Sequence, residues 1–255
     1  MKPIEYRKYI TWKIFLENIK DPYIFFGKKP KKRIKRSLEK INAQAEYKFK
    51  IVDVDNSFLE KFTPLYKNNI NEKFTPIIYD VVDNILENQK NGRQYKAISV
   101  FKKDEFVGGL IFSIRKNSLS AAYKVFPKEL DNFKLPISPT HIAEYLFINY
   151  AINCGKEFIS HGRDLNAFGF KYNIGLAIFK LSLGCIPFVS ISDNNEILTL
   201  SQFPDNKDIL LFIGKDIDSQ INQMILLSKQ SEDNLREKYK ELFNNSAIKL
   251  SIINS

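Results

Sequence analysis

The chain has 255 residues, 44% of them hydrophobic and 13% aromatic, with a formal net charge of +10. That length and apolar content suit a folded chain with a substantial core and exclude a disordered polyelectrolyte. Two cysteines, Cys154 and Cys185, form neither a CxxC pair nor a disulfide framework; no signal-peptide pattern or apolar run of spanning length is present, so a cytoplasmic location is expected.

The charge is concentrated. Residues 1–50 hold fifteen Lys or Arg against five Asp or Glu, and the remaining residues carry 24 of each sign. The excess peaks in Lys28-Lys29-Pro30-Lys31-Lys32-Arg33-Ile34-Lys35-Arg36. Such a cluster is either a solvated helix face or a field that draws phosphates from nucleic acid, nucleotides or lipid headgroups.

In chain order, residues 1–30 mix aromatic and basic side chains, and Trp12, Phe15, Tyr23, Phe25 and Phe26 are expected to anchor them to the main domain. Ile34, Leu38 and Ile41 recur at helical spacing through 31–44, and residues 47–53 alternate as a strand. A helix capped by Asn56 or Ser57 follows, then a second from Pro76 to about Asn88, closed by the Asn91-Gly92 turn. Three strands at 95–101, 106–114 and 118–126, joined by short turns, predict an antiparallel meander. Gly108-Gly109 in the middle of one of them predicts a bulge or the close approach of another backbone or ligand.

Ser138-Pro139 starts a helix that runs to Asn153 and stops at Gly155. A short strand at 157–160, a polar tip His161-Gly162-Arg163-Asp164 and a helix ending near Gly184 come next. Strands are expected at 186–191, 197–203 and 208–213, and a polar helix over 219–243. The order of elements predicts an α+β fold: one mixed, mostly antiparallel sheet flanked by helices. The expected organisation is a packing segment at 1–30, a main domain at 31–215 and a helical extension at 216–255.

This order resembles the GNAT acyltransferase fold. Within that superfamily the chain is similar to the Fem-type and related N-acyltransferase branch. The basic helix at 31–44, the helix start Ser138-Pro139-Thr140-His141, and Gly175-x-x-x-Phe179-Lys180-x-x-x-Gly184-x-x-Pro187 carry the resemblance, which spans roughly residues 30–200. It implies a GNAT-like domain, with acyl-CoA (acetyl-CoA) as co-substrate and an amine or amino sugar as acceptor. Many GNAT enzymes cradle the cofactor pyrophosphate on a glycine-rich loop before the central helix. Here Leu135 to His141 contains no glycine, so any donor phosphate depends on the helix N-terminus at Ser138, Thr140 and His141, with Gly108, Gly109 and Lys180 as further contacts. Fem-type enzymes use aminoacyl-tRNA instead, and Lys31, Lys32, Arg33, Lys35 and Arg36 would then meet tRNA phosphates.

Acyl transfer to an amine needs a base, oxyanion donors and an acid for the leaving group. His161, at a strand end, is the first candidate base. Asp164 orients it, acts as base itself or caps the following turn. Glu144 is an alternative base, or a first-turn acid complementing the helix dipole. Tyr172 is a candidate proton donor, and Arg163 a ligand for a carboxylate or phosphate. Two histidines and two scattered cysteines do not make a metal site, and no G-x-S-x-G elbow suggests a serine hydrolase. The reading is an N-acyltransferase, such as an N-acetyltransferase. The alternatives are a tRNA-dependent aminoacyltransferase and a non-catalytic module that binds nucleic acid or a membrane surface.

Overall fold

The computed structural model describes residues 3–44, 46–71, 79–126, 135–170, 172–191, 194–198, 207–244 and 247–254. Its elements are β1 (Ile4–Arg7), β2 (Tyr9–Phe15), a 3-10 turn (Pro22–Phe25), α1 (Lys28–Gln44), β3 (Tyr47–Asp53), α2 (Asn56–Asn71), α3 (Val81–Lys90), β4 (Gln94–Lys102), β5 (Glu105–Ile114) and β6 (Ser118–Val125). There follow α4 (Pro139–Asn153), β7 (Phe158–Leu165), α5 (Ile174–Ser182), β8 (Ile186–Val189), β9 (Asn195–Leu198), β10 (Ile209–Ile213), β11 (Gln223–Ser228), α6 (Glu232–Lys238), α7 (Lys240–Phe243) and β12 (Lys249–Asn254). This is the α+β order expected from the sequence: a strand, two helices, three antiparallel strands, then helix, strand, helix, strand. The chain forms two compact units, Phe15–Ser160 and Met1–Ile14 with His161–Ser255.

In the 15–160 unit the meander forms as its alternation predicts, with β3, β4, β5 and β6 antiparallel in sequence order. Lys103 and Asp104 both take positive φ, the backbone of a tight hairpin turn whose twist matches that of the flanking strands. β6 then meets the start of β7 in parallel over Ser118–Ser120 and Phe158–Ser160. Two register shifts interrupt the meander. Val107 is an extra residue opposite the Val100/Phe101 step of β4, and Ala122 is an extra residue opposite the Ile111/Phe112 step of β5. The Gly108-Gly109 expectation is met by backbone: a bulge adjoins Gly108, and a Cβ on Gly109 would lie 2.8 Å from the Ile98 carbonyl oxygen. The neighbouring strand explains these glycines without a cofactor.

Phe62, Ile85, Ala97, Ile111 and Val125 are buried together with α2 and α3 in one core cluster. The apolar positions of α4 serve another part of the interior, where Phe147 packs on Phe112 at 5.0 Å between ring centroids. Asp55, rather than Asn56 or Ser57, caps α2, accepting the Phe58 amide at 2.7 Å. α3 begins at Val81 with Asp80 as its cap, and the expected start at Pro76 lies outside the described residues.

In the second unit β2 pairs with β8, and the Asn166 amide at the end of β7 donates to the Lys8 carbonyl beside β2. Trp12 is fully buried, with its ring edge-on to Phe212 and Phe168. The expected helix over 219–243 is not what forms. Met224, Leu226 and Leu227 are buried on β11, which pairs antiparallel with β10 and parallel with β12, and only the short α6 and α7 are helical. The run Gln223-Met224-Ile225-Leu226-Leu227-Ser228 fits a buried strand as well as a helix, and pairing partners distant in sequence decide between them. Asp208 ties this part together, accepting from Ser228 Oγ, Gln230 Nε2, Lys238 Nζ and Tyr239 Oη. Burial pushes its carboxyl up, but the bonds from Lys238, Ser228 and Tyr239 outweigh that and hold it below its ordinary value.

Asn166 is the other internal tie. Its buried amide donates to the Arg7 and Phe212 carbonyls and accepts the Phe212 N–H at 2.9 Å. Asn166→Ala strands those buried backbone groups, and a loss of about 2–4 kcal/mol in urea unfolding is expected.

Candidate active site

The α4 start in the 15–160 unit brings a chemically competent set together. Ser138 has the extended backbone of an N-cap and Pro139 occupies the first helical position, as the sequence predicts. The Ser138 hydroxyl, however, does not cap an amide. It lies 2.8 Å from His141 Nδ1, while the His141 amide donates to the Ser138 carbonyl at 3.0 Å. One turn further on, the Glu144 side chain has no solvent exposure, and Lys124 Nζ donates to its Oε1 at 3.0 Å. Glu144 therefore stands in the second turn as the partner of a lysine, not in the first turn complementing the dipole.

Lys124 comes from β6, two residues beyond the Ala122 bulge. Its neighbour Tyr123 packs with the α2 and α3 core, while Lys124 reaches α4, as strand alternation requires. Sequence reasoning missed Lys124. The available signal was a single lysine in the apolar run Leu119-Ser120-Ala121-Ala122-Tyr123-Lys124-Val125.

Burial lowers the pKa of His141; the Glu144 carboxylate pulls it back up and the Lys124 ammonium pushes it further down. The net shift is downward, so the imidazole is neutral at pH 7. In the tautomer whose Nδ1–H donates to Ser138 Oγ, Nε2 is the basic nitrogen. A neutral base held by a hydroxyl, beside a lysine held by a buried carboxylate, can take a proton and stabilise a developing negative charge. Thr140, half-buried in the first turn, lies at the positive end of the helix dipole.

The sequence candidates from His161 onward lie in the other unit. His161, Gly162, Arg163 and Asp164 are not a loop but the second half of β7, with Gly162 at positive φ. The Asp164 carboxylate turns to partners other than His161 or a turn amide. It accepts from Trp12 Nε1 at 2.8 Å and from Lys180 Nζ at 2.7 Å. Lys180 also donates to the His161 carbonyl, and its side chain is only 10% exposed. The expected role of Lys180 is a contact to a donor phosphate; the structure places it in a buried ion pair. Arg163 is exposed, its guanidinium 4.5 Å from the centre of the Tyr9 ring. Tyr172 lies between β7 and α5, ring to ring with Phe168 at 6.4 Å, and Asn173 caps α5. Among the described residues no group of three or more His, Cys, Asp or Glu is placed to hold a metal ion. No described helix is long and apolar enough to cross a membrane.

No protein-family model matches the chain, and no curated protein does. Solved structures do. FemX is similar at 13% identity and a TM-score of 0.53, over 74% of this chain and 61% of FemX. A tandem GNAT protein from the clavulanic acid biosynthesis pathway is similar at 9% identity and a TM-score of 0.42, over 71% of this chain and 50% of its own. A GNAT-family acetyltransferase from Staphylococcus aureus Mu50 is similar at 15% identity and a TM-score of 0.33, over 68% and 96%. The FemX likeness shows a shared fold, and the chain spans about three fifths of FemX.

Two outcomes follow from these clusters. A folded-state His141 pKa below its ordinary 6.5 means that the unfolded chain binds the proton first as pH falls. This contribution to stability is complete above 6.5 and is lost as pH drops through 6.5 toward the folded value; His141→Gln should flatten the fall in urea midpoint across that window. Lys180→Met, which leaves the Asp164 carboxylate buried without its cation, should cost about 3–5 kcal/mol, part of it regained in Lys180→Met/Asp164→Leu.

Proposed function

We propose that this chain is an N-acyltransferase that moves an acyl group from acyl-CoA to an acceptor amine, a small amine or an amino sugar, by direct attack. The observation that supports it is the Ser138–His141–Glu144–Lys124 cluster, built where the bulged strand β6 and the first turns of α4 meet in an acyltransferase fold.

The amine nitrogen attacks the thioester carbonyl carbon, forming the C–N bond. His141 takes the proton that the nitrogen loses. Lys124, steadied by Glu144, carries positive charge toward the developing oxyanion. When the C–S bond breaks, the imidazolium returns the proton to the departing thiolate, which restores neutral His141. The N-terminal end of α4 at Ser138, Thr140 and His141 supplies the positive dipole end for donor phosphates that a glycine-rich loop supplies elsewhere.

Purified protein should be thermally stabilised by acetyl-CoA or CoA and should release thiol from acetyl-CoA in the presence of an acceptor amine. His141→Gln should lower kcat by about 10²- to 10⁴-fold. No thermal shift with any acyl-CoA, together with amide formation from aminoacyl-tRNA, would replace the thioester donor with tRNA and overturn the donor assignment.

A further inference from the structure

The α4 cluster does not use the strongest charge feature of the chain. α1 carries eight Lys and Arg side chains against Glu39 alone. Lys29, Arg33, Arg36 and Lys40 follow one another at spacings of four, three and four, so they form a stripe along one face. Lys28, Lys29, Lys32, Arg33, Lys35 and Arg36 are exposed, while Ile34 and Ser37 are buried.

Two kinds of polyanion suit such a stripe: a nucleic-acid backbone and an anionic bilayer. The surroundings favour the second. Grooves for single-stranded nucleic acid combine basic stripes with open aromatic faces on which bases stack. The aromatic beside α1 is Tyr23, and its ring is occupied. Tyr145 stacks on it at 4.5 Å, and the Lys31 and Lys35 ammonium groups stand over it at 5.4 and 5.0 Å. What is exposed next to Tyr23 is aliphatic: Ile24, 56% exposed on the 3-10 turn that leads into α1.

The apolar character continues along the same side of α4. Tyr145 and Ile152 are seven residues apart, two turns on one helix face. Ile152 lines an open groove of about 680 Å³ with Phe15, Leu16, Ile19 and Phe158, which also holds Glu17 and Glu157. Phe15 is 45% exposed. A basic helix with exposed apolar side chains beside it has the composition of a surface that lies in the headgroup layer: lysine and arginine meet anionic lipids while apolar groups enter the acyl boundary.

We propose that this side of the 15–160 unit docks on an anionic lipid bilayer, α1 against the headgroups with Ile24 and Phe15 inserted beside it. The assignment is independent of the catalytic reading, and its test uses no substrate.

The full chain is floated with vesicles of phosphatidylcholine alone and with vesicles containing roughly a third phosphatidylglycerol, at physiological ionic strength. Partition onto the anionic vesicles should exceed that onto neutral ones by at least about tenfold. Neutralising three exposed cations (Lys32→Gln/Arg33→Gln/Arg36→Gln) should weaken it roughly a hundredfold, and Ile24→Ser roughly tenfold. Circular dichroism confirms that each variant is folded. Equal partition onto both vesicles overturns the proposal. So does Ile24→Ser binding like the parent while the triple variant loses binding, because the contact is then charge alone. A protein that ignores vesicles but binds bulk tRNA with steep salt dependence assigns the stripe to nucleic acid and also overturns it.

Discussion

A carboxylate with no solvent exposure is tolerable only with a cation or donors at hand, and Glu144 sets that condition near the start of α4. Lys124 meets it from β6. For the lysine to point at α4, Tyr123 must point the other way, and the Ala122 bulge sits just before this pair in the strand. The ion pair therefore depends on the register of β6 against β5, and His141, one turn before Glu144, takes its electrostatics from both partners. Strand register, buried charge and the protonation of a candidate base are one linked arrangement.

The second unit solves the same problem differently. Asp164 is held by Lys180 and by the Trp12 indole, and Lys180 is held in turn by the His161 carbonyl. With the partners hydrogen-bonded to one another and to the frame, this pair joins β7, β2 and α5. Asp208 plays a comparable part among β10, β11, α6 and α7, with four side chains donating to one carboxylate. Buried acids in this chain are structural where donors close around them. In the Glu144 pair the lysine keeps 35% of its side chain exposed, against 10% for Lys180 in the Asp164 pair.

The surface separates from the site in a similar way. The charge of α1 lies on its exposed face while Ile34 fixes the helix to the interior, so the basic face is free to vary in its partners without touching the packing. Tyr23 connects the two levels: it stacks on Tyr145 of α4 and carries two lysines of α1 over its ring.

Much of this was legible in the order of residues. The sequence by itself determined the α+β order, the meander, the helix start at Ser138-Pro139, the basic helix and the bulge-or-approach reading of Gly108-Gly109, because alternation, caps and turn residues act over a few neighbours. The tertiary structure decided the rest. His161–Asp164 has the polar composition of a loop yet forms strand, because Trp12 and Lys180, 152 and 16 residues away from Asp164, satisfy its carboxylate. Residues 223–228 have the apolar content of a helix yet form strand, because β10 and β12 offer pairing on both edges. Lys124 looked like any surface lysine until α4 placed Glu144 beside it. Local pattern fixes what each segment can be, whereas a buried charge finds its partner, and with it the site, only when distant segments close together.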